Sequence, residues 1–264
     1  MTNDTLYTPQ FSSSEFRSLA NHYRIRGKRV DVNYAYIRKN ACTAFKRLIN
    51  DKTHPRYFLS RLVGRNIYGH FHIKGNMAYH QAKLEDGQDA TGALNLFVYR
   101  NPLDRFISVY LNKFVRREYA SDILSNYRTI TGLDPDAATI FDFLAYAEFE
   151  MKDLDCHMYP QKAHLYEIEY LAVEMGNLRD SMLKVLRKDM VDRFFVARVN
   201  STDSDTSSYA RFLGDHCARD LMELRSQGVN FGKSNLVSGE LERVVREIYW
   251  QDYEMLDELG SKEA

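Results

Sequence analysis

The chain has 264 residues, enough for one large domain or two small ones with a real core. Hydrophobic residues make up 44% and charged residues 27%, the balance of a soluble globular protein, and no internal repeat or low-complexity segment interrupts it. Net charge is zero, but residues 1–132 carry 21 Lys+Arg against 10 Asp+Glu, whereas residues 133–264 carry 15 against 26. The basic half is the place to look for an anionic ligand. Cys42, Cys156 and Cys217 stand apart, with no CxxC pair, which argues against a disulfide scaffold and for a reducing, cytoplasmic setting. Met1 to Ser14 lacks the apolar core of a signal peptide, and no apolar run approaches the roughly 20 residues of a membrane span, so no integral membrane segment is expected.

Residues 1–28 read as a polar lead-in with one short helix near Ser14 to His22, followed by a single domain over 29–260. Val30 to Ile37 is rich in β-formers and predicts a strand. Thr43 to Asn50 predicts a helix, and Asn66 to Ile73 a second strand. Leu94 to Tyr99 is a continuous apolar run, as in a buried parallel strand. Asn101 and Pro102 then announce a helix, one as cap and the other at its first position. Leu103, Phe106, Ile107, Tyr110, Leu111 and Phe114 form its apolar stripe, while Arg105, Ser108 and Asn112 share another face. Helices are expected at Phe141 to Met151, Leu178 to Leu186, Ser208 to Ser226 and Glu240 to Leu259, and a strand at Arg193 to Val199. Alternating strands and helices predict an α/β fold whose mostly parallel central sheet is flanked by helices.

Two segments combine a strand end, basic residues and a helix start. One runs from Tyr36 through Arg38, Lys39, Asn40, Ala41, Cys42, Thr43 and Ala44 to Ile49, and the other from Phe97 through Arg100 to Ser108. A helix N-terminus gathers backbone N–H groups where an anion is well held. Parallel sheets bind ligands at the carboxyl ends of their strands, and both segments lie at such ends. Two anion cradles in one chain suggest a ligand with two phosphate groups. GxxxxGK[ST] is missing, which disfavours a P-loop kinase, and GxGxxG is also absent.

Four segments together resemble the sulfotransferases that use 3′-phosphoadenosine 5′-phosphosulfate, and more narrowly the carbohydrate group that includes the chondroitin and heparan-uronyl 2-O enzymes. Lys39-Asn40-Ala41-Cys42-Thr43-Ala44-Phe45 is similar to that family's 5′-phosphosulfate loop. Arg100-Asn101-Pro102 with Arg105-Phe106 and Ser108 is similar to its 3′-phosphate motif. Tyr68-Gly69-His70-Phe71-His72 resembles the segment where the 2-O enzymes keep a catalytic histidine, and Asp155-Cys156-His157-Met158-Tyr159-Pro160-Gln161 a later His-x-x-Pro-Gln segment. Weaker echoes follow at Arg198-Val199-Asn200 and Tyr249 to Leu256. Arg38 stands where proline is usual, and Ala44 where a hydroxyl residue is usual.

The resemblance implies a P-loop-NTPase-like sulfotransferase fold and transfer of a sulfuryl group to a hydroxyl of a glycan or glycolipid. It implies that Arg38, Lys39, Asn40, Ala41, Cys42, Thr43 and Ala44 hold the 5′-phosphosulfate, and that Arg100 and Ser108 hold the 3′-phosphate. An Arg100–Asp104 ion pair is the plain alternative for Arg100, and helix capping is compatible with the role of Thr43. Lys39 would steady charge on the leaving oxygen. His70 would take the acceptor's proton, since imidazole titrates near neutral pH. His72 shares a strand face with His70 and is its rival as base; His157 is an alternative base or a group that positions the acceptor, and His72, His157 and Gln161 are candidates for meeting the acceptor. No metal is expected, because HExxH and matching carboxylate spacings are missing. Nucleic acid is disfavoured because Tyr34, Tyr36 and Phe45 read as core residues rather than stacking platforms. A non-catalytic nucleotide-binding module of the same fold is the alternative function. The loops Lys74 to Gly92 and Tyr119 to Ala138 are expected to rim the acceptor site.

Overall fold

A computed structural model describes residues 5–11, 20–53, 81–82, 84, 92–195 and 209–261. The strands are β1 Thr5–Tyr7, β2 His22–Ile25, β3 Val32–Ala35, β4 Gln81–Ala82, β5 Leu94–Tyr99 and β6 Tyr170–Glu174. The helices are α1 Cys42–Thr53, α2 Pro102–Tyr110, α3 Ser121–Thr131, α4 Ile140–Ala147, α5 Leu178–Val185, α6 Lys188–Phe194, α7 Ala218–Ser226, α8 Gly239–Ile248 and α9 Trp250–Ser261. They fall into two compact units, one drawn from Met1–Tyr99, Gln161–Val199 and Leu259–Ala264, the other from Arg100–Pro160 and Asn200–Glu258.

The first unit holds a sheet in the order β1-β6-β5-β3-β2-β4. The expected α/β class holds, and the three central strands are parallel: β3 with β5, and β5 with β6. The edges are antiparallel, so the sheet is mixed. Strand alternation gives it two different faces. On one face Val32, Tyr34, Leu96, Val98 and Val173 pack with Phe45 and Leu48 of α1, Met182 of α5 and Val191 of α6. Tyr34 and Phe45 stack at 3.7 Å between centroids, which fixes α1 on β3.

The other face is aromatic and polar. Tyr7 and Tyr170 flank Phe97 at 5.9 and 5.7 Å. Asn33 Nδ2 donates to Asn95 Oδ1 at 2.9 Å, and Asn95 Nδ2 donates to Glu169 O at 3.1 Å. His22 is fully buried, bonded through Nδ1 to Ala20 O (3.0 Å) and through Nε2 to the Tyr170 hydroxyl (2.8 Å). Burial pushes its imidazole down to about 4, against a partial upward pull from the Ala20 bond.

The second unit is helical. The stripe expected on α2 is buried as read, and Phe106, Tyr110 and Phe114 meet Phe143 of α4. Past α2 the chain takes one wide turn, Leu111–Val115, in which Arg116 N–H reaches Leu111 O at 2.9 Å. A capping box at Thr139 and Asp142 starts α4, and Ser238 caps α8.

Several expectations need correction. The lead-in is part of the sheet: Thr5–Tyr7 pairs with β6 and His22–Ile25 with β3, because Tyr7, His22 and Ile25 are buried there. Of the helix expected near Ser14, only His22 lies well inside the described residues, and it is strand. Arg193 and Phe194 close α6 rather than open a strand. The helix expected from Ser208 begins at Ala218. Glu240 to Leu259 is two helices broken at Tyr249, whose hydroxyl is tied to Met158 O at 2.8 Å. Tyr119 to Ala138 is not a plain loop, since α3 occupies its centre. The strand expected at Asn66 to Ile73, the echo at Arg198 to Asn200 and most of Lys74 to Gly92 lie outside the described residues.

Candidate active site

Beyond β3 the chain remains buried through Ile37 and then turns over Arg38–Ala41 into α1. Lys39 (φ 69°) and Ala41 (φ 56°) both take left-handed backbone without being glycine. Each such residue costs about 1–2 kcal/mol. Asn40, fully buried between them, holds the turn. Its N–H reaches Ile37 O at 3.3 Å, and its carbonyl accepts the Tyr34 hydroxyl at 3.2 Å. Its Nδ2 donates to Val98 O near the end of β5 (2.8 Å) and to Gln161 Oε1 (2.5 Å). Four such bonds, at about 1 kcal/mol each, match the strain. Left-handed residues alternating with right-handed ones aim successive N–H groups to one side and make an anion-binding concavity.

Charge converges on the same loop. Burial raises the Cys42 thiol, but Lys46, a backbone hydrogen bond from Lys39, and the Lys39 and Arg38 charges together bring it below its ordinary value. Lys46 Nζ and Arg38 Cζ lie 5.0 and 5.9 Å from the centre of the Tyr36 ring. Lys46, in the first turns of α1, therefore belongs to the cationic loop. Thr43 sits half-buried in the first turn of α1. Ala44 faces the core, and its N–H already donates to Ala41 O at 2.9 Å, so the expectation that it contacts a phosphate is not supported. Asn40 likewise directs its amide inward and could serve an anion through its backbone setting rather than its side chain.

In the second unit the chain enters α2 directly after the half-buried Arg100. Asn101 Oδ1 accepts from Leu103 N (3.0 Å) and Asp104 N (3.3 Å), with Pro102 at the first helical position. Asp104 pairs with Lys233. Ser108 lies in the buried polar stripe with Arg105 and Asn112, as the spacing predicts. Arg105 is 2% exposed and donates to His157 O at 3.2 Å. Burial lowers its guanidinium, and the fully buried Asp252, with Tyr249 and Cys156, pulls it back up.

That bond pins the Asp155–His157 turn. Asp155 Oδ1 accepts from His157 N–H at 2.8 Å and meets His157 Nδ1 at 2.6 Å. Asp155 N–H donates to the Tyr146 hydroxyl (3.1 Å), and Asn126 Nδ2 donates to Asp153 O (2.9 Å). Asp155, Cys156 and His157 bring three ligand-type atoms within 4.8 Å of one another, but the carboxylate is already engaged by the ring and backbone of His157. Gln161, expected to meet the acceptor, is fully buried and bonded to Asn40 in the first unit; its role there is support of the cationic loop. His70 and His72 lie outside the described residues.

A family model described as "Sulfotransferase family" matches residues 21–257. The chain belongs to the sulfotransferase family. No curated protein and no solved structure matches it. Membership brings sulfuryl transfer from a donor to an acceptor, and the match spans both units, so one family domain includes the sheet and the helices. The match begins at residue 21, beside β2. Among the described residues of this sulfotransferase, no helix is long and apolar enough to cross a membrane. Sulfuryl transfer needs positive charge at the leaving oxygen and a group that accepts the acceptor's proton. The β3–α1 loop carries converging positive charge, and the Asp155–His157 contact is one that sequence reading leaves out. A signal for it was present: Asp two residues before His is the pattern of a turn in which the carboxylate caps the i+2 N–H.

Proposed function

We propose that this sulfotransferase moves the sulfuryl group of 3′-phosphoadenosine 5′-phosphosulfate to a hydroxyl of a carbohydrate or glycolipid. The observation that carries this reading is the β3–α1 loop, where two left-handed residues and a helix N-terminus coincide with Arg38, Lys39 and Lys46, whose charges converge on Cys42. A terminal phosphosulfate fits that donor set, because it offers several anionic oxygens to N–H and cationic groups. The bound donor supplies an SO3 unit already activated by a phosphate leaving group.

In this reading Lys39 sits at the leaving oxygen and neutralises the charge that develops there. Backbone N–H groups of the loop, with Thr43 and Cys42 at the start of α1, orient the 5′ end. Arg100 and Ser108 hold the 3′-phosphate, the arginine through its planar fork and the serine through one hydroxyl. A histidine removes the acceptor's proton, for which the family resemblance supplies His70. The products are the sulfated acceptor and 3′-phosphoadenosine 5′-phosphate. The reading assigns no role to a metal, and the isolated free cysteines fit a cytoplasmic site of action.

The test is transfer of ³⁵S from the donor to a panel of desulfated chondroitin, dermatan and heparan oligosaccharides and glycolipids. Label should appear on one class of acceptor, and Lys39→Ala should slow it by about 10²–10³-fold. Tight binding of the bisphosphate product with no transfer to any acceptor would instead make the chain a non-catalytic nucleotide-binding module.

A further inference from the structure

Building on the carbohydrate reading above, we propose that Arg116, Arg225 and Tyr119 of the helical unit form a site for a carboxylate- or sulfate-bearing saccharide. This narrows that reading to acidic saccharides. Among the described residues, four that are not glycine have positive φ. Two are Lys39 and Ala41 of the β3–α1 loop; the other two, Arg117 (φ 58°) and Tyr119 (φ 47°), stand between the wide turn and α3. Arg116 before them and Ala120 after them are right-handed. Neither arginine nor tyrosine has the short polar side chain that eases such a backbone, so neighbours must hold it.

They do so from within the unit. Lys113, buried in the wide turn, donates through Nζ to Glu118 O (2.9 Å) and Tyr119 O (3.0 Å). Asn112 O accepts the Glu118 N–H at 3.1 Å, and Asn112 Nδ2 donates to Glu118 Oε2 at 2.5 Å. Arg117 pairs with Asp136. This framework fixes the backbone of Tyr119, yet the residue is 88% exposed. A large ring held out on a strained and braced loop adds nothing to the core. It presents a flat apolar face, with little rotamer freedom to lose, to a ligand.

The charge on the neighbouring elements matches that role. α7 packs on the wide turn, and Arg225 in its last turn is half-buried. Burial, and then the Arg116 charge, lower its guanidinium to about 10, against a pull from Glu118. The guanidinium lies 4.5 Å from the centre of the Phe231 ring and donates to Phe231 O at 3.4 Å, which fixes its direction. In the same unit Arg117, Arg128 and Arg219 each pair with an aspartate. Among the described residues, no carboxylate pairs with Arg116 or Arg225, and the buried Nε of Arg225 meets no acceptor. Two guanidiniums that repel each other and lack a counter-ion destabilise the fold. An arriving carboxylate or sulfate relieves that repulsion, because its oxygens match the planar forks. Tyr119, three residues from Arg116, supplies a face for the C–H side of a pyranose ring. The same elements carry Glu118, Asp122, Asp220 and Glu223. These repel a polymer with a phosphate at every residue and suit one whose charges are spaced along sugars.

The test is calorimetric titration of the full chain with chondroitin sulfate and heparan sulfate fragments, the same fragments carboxyl-reduced and desulfated, and single-stranded DNA. At least one acidic fragment should bind the native chain, and its neutral form about 10-fold more weakly. Arg116→Ala and Arg225→Ala should each weaken the acidic fragment by about 10-fold and leave the neutral one unchanged. Arg225→Lys keeps the charge and loses the fork, so it should recover only part of that loss. Tyr119→Ala should weaken both forms by about 5-fold. All four variants should melt as folded proteins and bind 3′-phosphoadenosine 5′-phosphate as the native chain does. Failure of the native chain to bind either acidic fragment, or an affinity indifferent to Arg116 and Arg225, overturns the inference. So does DNA that binds more tightly than the fragments with the same arginine dependence. If the native chain transfers ³⁵S to a saccharide and the arginine variants bind acidic fragments unchanged, only this inference fails. If the native chain neither binds the bisphosphate nor transfers label, yet holds the fragments through both arginines, the sulfotransfer reading fails and the saccharide site stands.

Discussion

The β3–α1 loop and the start of α2 carry the two basic segments of the sequence, and they are built differently. The first is made by backbone geometry: Lys39 and Ala41 are left-handed, and one buried asparagine holds them there. The second has an ordinary helix start, capped by Asn101 and opened by Pro102, and its polar groups are set by side chains on a regular helix face. One loop stores strain that neighbours must offset; the other stores almost none. Substitutions that change backbone freedom should therefore act on the first, and those that change caps and side chains on the second.

The largest effect on stability is expected at Asn40. Asn40→Ala removes the donor to Val98 O and Gln161 Oε1 and leaves both buried, which should cost roughly 2–4 kcal/mol in urea unfolding. A loss below about 1 kcal/mol would mean that the loop holds its shape without this anchor. Next is an acid effect centred on the sheet rather than on either loop. Burial holds the folded His22 imidazole at about 4, against 6.5 for an ordinary histidine, so the unfolded chain binds its proton first. The stabilisation is complete above pH 6.5 and falls away toward pH 4, by about 3 kcal/mol in total. His22→Gln should flatten that slope in a pH series of thermal melts; an unchanged slope would assign it to other groups.

The smallest effects carry opposite signs. Asn101→Ala should destabilise by about 1 kcal/mol through loss of the cap. Ala41→Gly should stabilise by about 1 kcal/mol, because glycine takes φ 56° without penalty. If both substitutions destabilise, the contrast between a strained loop and a relaxed one is wrong.

Much of the architecture was legible because its signals are local and strong. Leu94–Tyr99 is an uninterrupted apolar strand, and Asn101-Pro102 marks a helix start that the structure reproduces. The outer strands were not legible. β1 and β2 are three and four residues long, too short for a periodic pattern, and β1 pairs with the distant β6. The break at Tyr249 depends on a tertiary bond to Met158, which no helical spacing records. The cationic loop could be read from Arg38 and Lys39 at a strand end, but the part played by Lys46 could not, since it depends on how α1 lies against Tyr36. Gln161 stands in a motif by its sequence neighbours, whereas its buried side chain accepts from Asn40.

The central claim is that the two basic segments hold the two phosphates of a single adenosine nucleotide. Calorimetric titration of the full chain with 3′-phosphoadenosine 5′-phosphate tests it most directly, repeated on Lys39→Ala and Arg100→Ala. One nucleotide should bind, and each variant should weaken it by about 10–100-fold, as expected for a lost charge-assisted bond. Adenosine 5′-phosphate, which lacks the 3′ group, should bind the native chain and Arg100→Ala equally. Absence of binding by the native chain, or bisphosphate affinity indifferent to Arg100, would contradict the account.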